Sequence, residues 1–431
     1  MITFIINCGE IAHLSSGDVT KPLSGTKMMD KENLIYESGK AIMIENGKII
    51  RIDDSDEIRD EYIPWFTDVG IKKNGYEIID ANGHAIIPGF VDSHTHLVWS
   101  GDRTNELALR QQGKSYSEIS KMGGGIRKTV EKTRNSSFNE LYSKSIERVE
   151  IAISNGTTTL EAKSGYGLNS SAEDNILRVI SGVAKSSKCN IFSTWLGAHD
   201  FPPGISKSDY LDQLLNEQLP NVVENNLAKW VDVFCEPGWF SIEETEDIVR
   251  ASKKLGLRSR LHVDEFVDSG GLSLASELGS DSGDHVAFSN DESRSLATKS
   301  GTMQTFLPGT PYVLGKKMEL PINKCIEEEW NFSIATDFNP NCPTLSIPFV
   351  GSLVSHRLNV DPLACLVSTT RNPATSIYEA ENMRGSLAIN SHADLNILWS
   401  SYVEGWCQTP GINPISQTMI DGVIVNSNKI I

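Results

Sequence analysis

The sequence predicts an α/β fold, a (β/α)8 TIM-like barrel with a small β domain formed from both chain termini. Three observations support this prediction. The central part of the chain alternates short apolar runs with helix-like segments, chemically reactive residues follow several of those runs, and both ends of the chain contain strand-like runs separated by turns. Alternating strands and helices are typical of parallel sheets, and eight such units close a barrel.

Eight apolar runs are the candidate barrel strands, and most gaps between them carry a helix-like segment. The candidate strands are 90–94, 157–163, 190–199, 231–236, 259–264, 285–288, 303–307 and 332–336. The helix-like segments are 141–154, 172–184, 242–255 and 364–368. No repeat of 20 to 50 residues is evident, which argues against a solenoid or a propeller.

The two ends of the chain have the texture of a small β-sheet. Asn46-Gly47 separates two apolar runs and predicts a hairpin, because this pair favours the tight turn that joins antiparallel strands. Similar runs at 393–399 and 420–425 predict strands near the other end. We therefore expect residues 1–85 and 386–431 to form one composite β domain and residues 86–385 to form the barrel.

The composition of the 431 residues limits the partners and the compartment. A net charge of -17 argues against nucleic acid and anionic membranes, and it means that an anionic substrate needs a local cation. The seven cysteines include no C-x-x-C pair, which favours a reducing compartment. The start of the chain lacks the features of a signal peptide and no stretch approaches a membrane span, so we expect a cytoplasmic protein without a membrane or nucleic-acid partner.

His94 and His96 lie at the end of the first candidate strand, one residue apart. Side chains alternate faces along a strand, so both imidazoles point the same way. Imidazole is a preferred ligand of catalytic first-row metals, and two of them on one face can bind one ion. The spacing alone is a weak signal, and by itself it favours surface or packed histidines over a metal site.

Further reactive residues occur near the ends of the later candidate strands, which is where barrels carry their chemistry. They are Glu161, Tyr166, His199, Glu236, His262, Glu265 and Asp337. His285 is expected to open the sixth strand. His262 and Glu265 would point to opposite faces of a continuous strand, so the chain must leave extended geometry between them for both to reach one site.

Six stretches resemble the imidazolonepropionase family of the metal-dependent amidohydrolase superfamily. They are Asp92 to Arg103, Gly123-Gly124-Gly125-Ile126, Lys163-Ser164-Gly165-Tyr166-Gly167-Leu168, Leu196-Gly197-Ala198-His199, His262-Val263-Asp264-Glu265 and Thr336-Asp337-Phe338-Asn339-Pro340. The resemblance implies hydrolysis of 4-imidazolone-5-propanoate to N-formimidoyl-L-glutamate in histidine degradation. It also implies one zinc or iron ion per subunit, a cytoplasmic location and a homodimer.

The resemblance assigns roles to individual residues. The implied metal ligands are His94, His96, His262 and Asp337. The implied catalytic residues are Glu265, His285 and Asp337. The implied substrate-binding residues are Arg103, Tyr166, His199, Glu265, Asn339 and Asn341. Arg103 would bind the propanoate group, which meets the need for a local cation.

The sequence departs from the common family pattern after Pro340, where many members have glycine followed by serine or threonine. Asn341 and Cys342 occupy these positions. Asn tolerates a positive φ better than most residues, so the loop shape can survive, whereas Cys342 replaces a hydroxyl with a weak donor. We therefore expect a backbone contact from Asn341 and none from Cys342.

Two other functions remain open on the sequence. A purine or pyrimidine deaminase of the same superfamily would use a similar set of histidines, but Arg103 and the 163–168 motif suit an anionic imidazolone better. A catalytically silent barrel that serves as a binding module would have a broken ligand set, and here the set is complete. Gly123-Gly124-Gly125 lacks the lysine of a phosphate-binding loop and predicts a flexible loop near the pocket.

Overall fold

A computed structural model describes residues 1–62, 76–114, 118–119 and 122–429. The strands in chain order are β1 (Ile2–Ile6), β2 (Ile11–Ala12), β3 (Ile35–Tyr36), β4 (Lys40–Glu45), β5 (Lys48–Asp54), β6 (Tyr76–Asp80), β7 (Ile86–Pro88), β8 (Phe90–Thr95), β9 (Thr157–Lys163), β10 (Asn190–Ala198), β11 (Trp230–Cys235), β12 (Arg258–Val263), β13 (Ser282–His285), β14 (Met303–Phe306), β15 (Phe332–Ile334), β16 (Leu395–Leu398), β17 (Ile415–Ile420) and β18 (Val423–Ser427).

The α-helices are α1 (Lys31–Leu34), α2 (Ser55–Tyr62), α3 (Glu106–Gln111), α4 (Gly125–Arg134), α5 (Phe138–Ser154), α6 (Ser170–Ser186), α7 (Lys207–Gln213), α8 (Leu219–Glu224), α9 (Ile242–Lys254), α10 (Gly271–Glu277), α11 (Asp291–Ser300), α12 (Gly309–Val313), α13 (Ile322–Glu327), α14 (Ile347–Leu358), α15 (Pro362–Thr369), α16 (Arg371–Thr375) and α17 (Gly405–Gln408). Short 3-10 helices span Gly25–Met29 and Ala380–Asn382, and a π-helical turn spans Leu214–Gln218. Among the helices described, none combines the length and apolarity that crossing a bilayer requires.

The central sheet confirms the predicted barrel. Its eight strands, β8 to β15, lie in chain order and pair in parallel. The segment after β15 approaches β8, because the amide of Asp337 donates to the carbonyl of His94 (3.1 Å) and the amide of His96 donates to the carbonyl of Phe338 (2.7 Å). These bonds connect the last strand to the first and bring the two ends of the predicted ligand set together.

The sixth barrel strand corrects one prediction. We expected it at 285–288 with His285 at its start, but β13 ends at His285. His285 and Val286 have φ values of 76° and 48°, so the backbone leaves extended geometry where the apolar run begins. Val286 is fully buried in this turn. Val286 therefore packs into the core from a turn, Phe288 is 49% exposed, and Ser282–His285 before the run form the strand.

The two ends of the chain supply the strands of two further sheets. One has the order β5-β4-β1-β6, and the other has the order β18-β17-β16-β7-β2-β3. In the second sheet β7 pairs with β16 from the far end of the chain on one side and with β2 on the other. β7 covers Ile86–Pro88, so this sheet includes three residues that lie just before the first barrel strand.

The Asn46-Gly47 turn forms the predicted hairpin and joins the two terminal sheets. Asn46 and Gly47 have φ values of 51° and 80°, and Glu45 pairs with Lys48 across the turn. The Gly47 carbonyl accepts from the amide of Ala393 (2.8 Å). A Cβ atom on Gly47 would lie 2.8 Å from the carbonyl oxygen of Asp421. The turn thus requires glycine both for its conformation and for its contact with the β17–β18 hairpin.

We expect Gly47→Ala to lower the free energy of unfolding by about 3 kcal/mol, because it adds a backbone clash to the left-handed strain. Gly83→Ala is the matched control, since Gly83 has a φ of 75° and a Cβ atom there would meet no heavy atom within 4 Å. The control should lose only about 1 kcal/mol. Urea unfolding of both variants measures the difference, and equal losses would mean that the Asp421 contact is unimportant.

Candidate functional site

Three histidines from two barrel strands converge at the carboxyl end of the barrel. The ring centroid of His94 lies 4.5 Å from that of His262 and 5.5 Å from that of His96. One nitrogen from each of these rings lies within 4.8 Å of the other two. All three side chains are buried. The spacing of His94 and His96 therefore places two imidazoles beside that of His262, and the three rings surround one point.

Asp337 completes this cluster from the segment after β15. Its Oδ1 lies 3.6 Å from Nε2 of His94 and 3.7 Å from Nε2 of His96. Its φ of 53° turns the chain sharply at this residue, and the Thr310 hydroxyl donates to its Oδ2. Burial raises the pKa of Asp337 to about 6, and the Thr310 bond opposes that rise. A bound cation would therefore be favoured here, because it would stabilise the ionised form of the Asp337 carboxylate.

Two buried carboxylates orient two of the histidines. Nδ1 of His94 lies 2.8 Å from Asp284, and Nδ1 of His262 lies 2.9 Å from Asp232. Nδ1–H therefore faces the carboxylate in each ring, which leaves Nε2 with its lone pair. Nε2 of His94 is buried, and no described residue bonds to it. Three imidazoles, one carboxylate and an unsatisfied Nε2 fit a divalent metal ion.

Glu265 reaches the site because the chain turns before it, as the sequence required. Asp264 has a φ of 53°, and Glu236 accepts a hydrogen bond from the Glu265 amide. Oε2 of Glu265 lies 3.7 Å from Nδ1 of His285. Burial, together with the charges of Asp337 and Glu236, raises the pKa of Glu265 well above its usual value. This buried carboxyl group beside His285 is therefore a candidate for proton transfer.

Tyr166 and His199 form an aromatic wall beside the clustered histidines. The His199 ring stacks on His96 at 5.1 Å with an angle of 17°, and the Tyr166 ring lies 5.2 Å from His199. Nδ1 of His199 lies 2.9 Å from the carbonyl oxygen of Gly165. A Cβ atom on Gly165 would lie 2.8 Å from that same nitrogen, so the 163–168 motif needs glycine here.

Glu173 supports the loop that carries Tyr166. Its buried carboxylate accepts from the amides of Gly165 (2.9 Å), Gly167 (2.6 Å) and Leu168 (2.9 Å). Sequence reasoning did not single out this residue, which lies in the first turn of α6. The loop geometry thus depends on a carboxylate that its own motif does not contain.

Arg103 is buried and bound to a carboxylate at the start of the helix that follows it. Nε and Nη2 of Arg103 donate to Glu106 at distances of 2.8–3.1 Å. Glu106 also accepts from the amide of Gly125 (2.9 Å). A Cβ atom on Gly124 would lie 2.9 Å from Oε1 of Glu106. Helix α4 therefore begins within the glycine run, next to the ion pair of Arg103 and Glu106. The ion pair holds the Arg103 guanidinium in a fixed orientation.

The segment after Asp337 forms a closed turn through Asn339. Its Nδ2 donates to the Asp337 carbonyl (2.8 Å), and its Oδ1 accepts from the amides of Asn341 (2.8 Å) and Cys342 (3.0 Å). Oδ1 of Asn341 accepts from Arg110, and Cys342 is buried with its Sγ 3.8 Å from the Thr336 carbonyl. The positive φ of this segment occurs at Asp337 and not at Asn341. The loop therefore does not depend on left-handed geometry at Asn341.

The structure adds residues that sequence reasoning did not select. They are Lys163, Asp232 and Asp284 inside the barrel, and Glu106, Glu173 and Thr310 around it. A signal was present, because charged residues two apart in a strand share a face, and Glu161 and Lys163 do so in an otherwise uncharged run. A charge on the inner face of a barrel strand must find a partner.

Comparison with known proteins identifies similar sequences and folds. The profile described as "Amidohydrolase family" matches residues 77–179. The imidazolonepropionase of Symbiobacterium thermophilum is 37% identical over 401 residues, covering 91% of this chain and 90% of its own length. The imidazolonepropionase of Bacillus thuringiensis is 36% identical over 406 residues, with 93% and 90% covered.

Solved structures share the fold at low sequence identity. A 5-methylcytosine deaminase from Klebsiella pneumoniae has a TM-score of 0.69 and 14% identity, covering 99% of this chain and 98% of its own. The guanine deaminase of E. coli has a TM-score of 0.69 and 12% identity, with complete coverage of both chains. At these identities the likeness concerns the fold, and it does not favour a deaminase.

We expect Glu106→Gln to lower the free energy of unfolding by about 3 kcal/mol, because it leaves the guanidinium of Arg103 without its buried carboxylate partner. The double variant Arg103→Met/Glu106→Gln should lose clearly less than the sum of the two single losses. Urea unfolding of the four proteins gives the coupling energy. The exposed pair Glu246 and Arg250 is the control and should couple by under about 1 kcal/mol. Additive losses at Arg103 and Glu106 would contradict the prediction.

Proposed function

Because the chain belongs to the imidazolonepropionase family of the amidohydrolase superfamily, we propose that the converging residues of its barrel form the active site of that reaction. The protein is a hydrolase that acts on carbon–nitrogen bonds in histidine degradation. The reaction opens the cyclic amide of 4-imidazolone-5-propanoate and gives N-formimidoyl-L-glutamate. The observation that carries the site assignment is the convergence of His94, His96 and His262 with Asp337.

The proposed metal ligands are His94, His96, His262 and Asp337, and the proposed cofactor is one zinc or iron ion per subunit. Three imidazoles and a carboxylate suit either metal. A divalent ion bound there lowers the pKa of water towards 7 and polarises a carbonyl group. Asp232 and Asp284 support this assignment, because metal-binding histidines usually donate their other N–H to a carboxylate.

Proton transfer is assigned to Glu265, with His285 and Asp337 beside it. Attack of water on the ring carbonyl releases a proton, and the ring nitrogen must gain one as the C–N bond breaks. Glu265 takes up the first proton and delivers it to the nitrogen, because its carboxyl group lies 3.7 Å from Nδ1 of His285. Burial first, and then the charge of His262, holds the pKa of His285 well below its usual value, so its imidazole is neutral. That neutral ring donates a hydrogen bond to the developing oxyanion.

The substrate-binding residues are proposed to be Arg103, Tyr166, His199, Glu265, Asn339 and Asn341. Arg103 binds the propanoate, because the protein's charge of -17 repels an anion on average and a guanidinium can bind it in two places. Tyr166 and His199 provide an aromatic wall for the imidazolone ring. Asn339 shapes the turn that presents the Asn341 backbone.

We further propose a cytoplasmic homodimer. All seven cysteines are buried free thiols, which suits a reducing compartment. The homodimer is proposed from the family resemblance.

Metal removal tests the proposed site. We expect purified protein to remove the ultraviolet absorbance of fresh 4-imidazolone-5-propanoate, to lose this activity after chelation, and to regain it with zinc or iron. His262→Ala should lower both bound metal and turnover by at least about 100-fold, because it deletes one of the proposed metal ligands. Metal content is measured by elemental analysis and product by chromatography.

The matched control for His262→Ala is His356→Ala, because His356 is an exposed histidine whose ring nitrogen lies 3.2 Å from the carbonyl oxygen of Gln408. This control should retain metal and activity. Stoichiometric metal in His262→Ala would contradict the ligand assignment. No turnover by metal-loaded wild-type protein would contradict the proposed site chemistry.

Arg103→Ala should raise the KM about 30-fold to 150-fold and change kcat much less, because a charged hydrogen bond to the propanoate is worth about 2 to 3 kcal/mol. Steady-state kinetics on the metal-loaded protein measure both constants. Arg250→Ala, at an exposed helical ion pair, is the control and should leave both unchanged. An unchanged KM in Arg103→Ala would exclude this residue as the carboxylate anchor.

A further inference from the structure

Lys163 lies at the centre of the barrel and has no role in the chemistry described so far. Its side chain has no exposed surface. Nζ lies 2.8 Å from Asp232, 3.1 Å from Glu161 and 3.6 Å from Asp284. These three carboxylates are also fully buried. An ammonium group has three donors and no acceptor, so it matches a site walled by carboxylates.

Two of these carboxylates are the ones that orient the histidines. Oδ2 of Asp232 is the atom that faces both Lys163 and Nδ1 of His262. Oδ2 of Asp284 is likewise the atom that faces both Lys163 and Nδ1 of His94. One ammonium group therefore lies behind two carboxylate–histidine pairs that come from four different strands, β8, β11, β12 and β13.

We propose that Lys163 is a positioning residue, which fixes Asp232 and Asp284 at one point so that His94 and His262 present Nε2 to the same metal ion. This inference rests on the proposed metal site. Without the ammonium group, Asp232 and Asp284 repel each other inside the barrel and no other described lysine or arginine forms an ion pair with them. Each carboxylate can then rotate or shift, and each rotation turns the histidine bonded to it.

The charge state of Lys163 agrees with this role. Burial opposes a charge on the ammonium group, but Asp232, Glu161 and Asp284 outweigh it and raise the pKa of Lys163 above its usual value. The residue is therefore a permanent cation at physiological pH. It does not act as a proton donor or as a metal ligand, and its effect passes through the two aspartates.

Metal affinity without substrate tests the proposal. We expect Lys163→Met to raise the dissociation constant for Zn²⁺ about 10-fold to 100-fold, which is typical for residues that orient metal ligands. Competition with a chromophoric chelator gives the constant, and the visible spectrum of the Co²⁺-loaded protein reports ligand geometry. We expect an altered Co²⁺ spectrum in Lys163→Met, because the imidazoles no longer converge in one arrangement.

A double-variant cycle separates positioning from general destabilisation. If Lys163 acts through Asp232, the loss of Zn²⁺ affinity in Lys163→Met/Asp232→Asn should be clearly smaller than the product of the two single losses. Arg371→Met is the control for losing a buried cation, because Arg371 bonds only to backbone carbonyls between Leu14 and Lys21 among the described residues. This control should leave Zn²⁺ affinity unchanged.

If Lys163→Met does not fold, the double variant Glu161→Gln/Lys163→Met takes its place in the test. It also neutralises one of the three carboxylates that lose their ammonium partner. Glu161→Gln alone should change Zn²⁺ affinity by less than about 3-fold, because the imidazole rings of His94 and His262 bond to Asp284 and Asp232 and not to Glu161. Wild-type affinity and Co²⁺ spectrum in the lysine variants, or fully multiplicative losses, would overturn the proposal. Failure of the wild-type protein to bind metal would instead overturn the proposed function.

Discussion

The candidate site is assembled from buried charged groups that compensate one another inside the barrel. Lys163 compensates carboxylates that would otherwise repel, Asp232 and Asp284 hold the imidazoles, and the imidazoles converge on one point. Removing any partner leaves a charge in a medium that cannot solvate it. The barrel interior therefore tolerates few substitutions of these charged residues, although an interior of apolar side chains would need no such pairing.

Local pattern predicted much of the fold because strand period and turn chemistry are local properties. The barrel strands near 90, 157 and 303 begin where the apolar runs begin, and Asn46-Gly47 forms its hairpin. The sixth strand was misplaced because β13 consists of small polar residues whose burial depends on their neighbours in space. Hydrophobic periodicity cannot distinguish a short apolar turn from a buried apolar strand.

The candidate site was predictable where it depends on spacing within one strand, as for His94 and His96. The family resemblance supplied the other residues. The supporting carboxylates were not predicted because their partners lie far away in the chain. Asp284 and His94 are 190 residues apart, and Asp232 and His262 are 30 apart. Such pairs become visible only when the barrel closes. The hydrogen bond from Arg110 to Asn341 could not be predicted for the same reason, because these residues are 231 positions apart in the chain.

The position of β7 has a consequence for synthesis on the ribosome. This strand lies between β2, which precedes it, and β16, which follows about 300 residues later in the order of translation. Until β16 emerges, β7 presents an unpaired edge of buried, apolar residues. A chaperone that recognises exposed strands would therefore meet this segment throughout translation of the barrel, and a stalled or prematurely ended nascent chain would keep an adhesive edge.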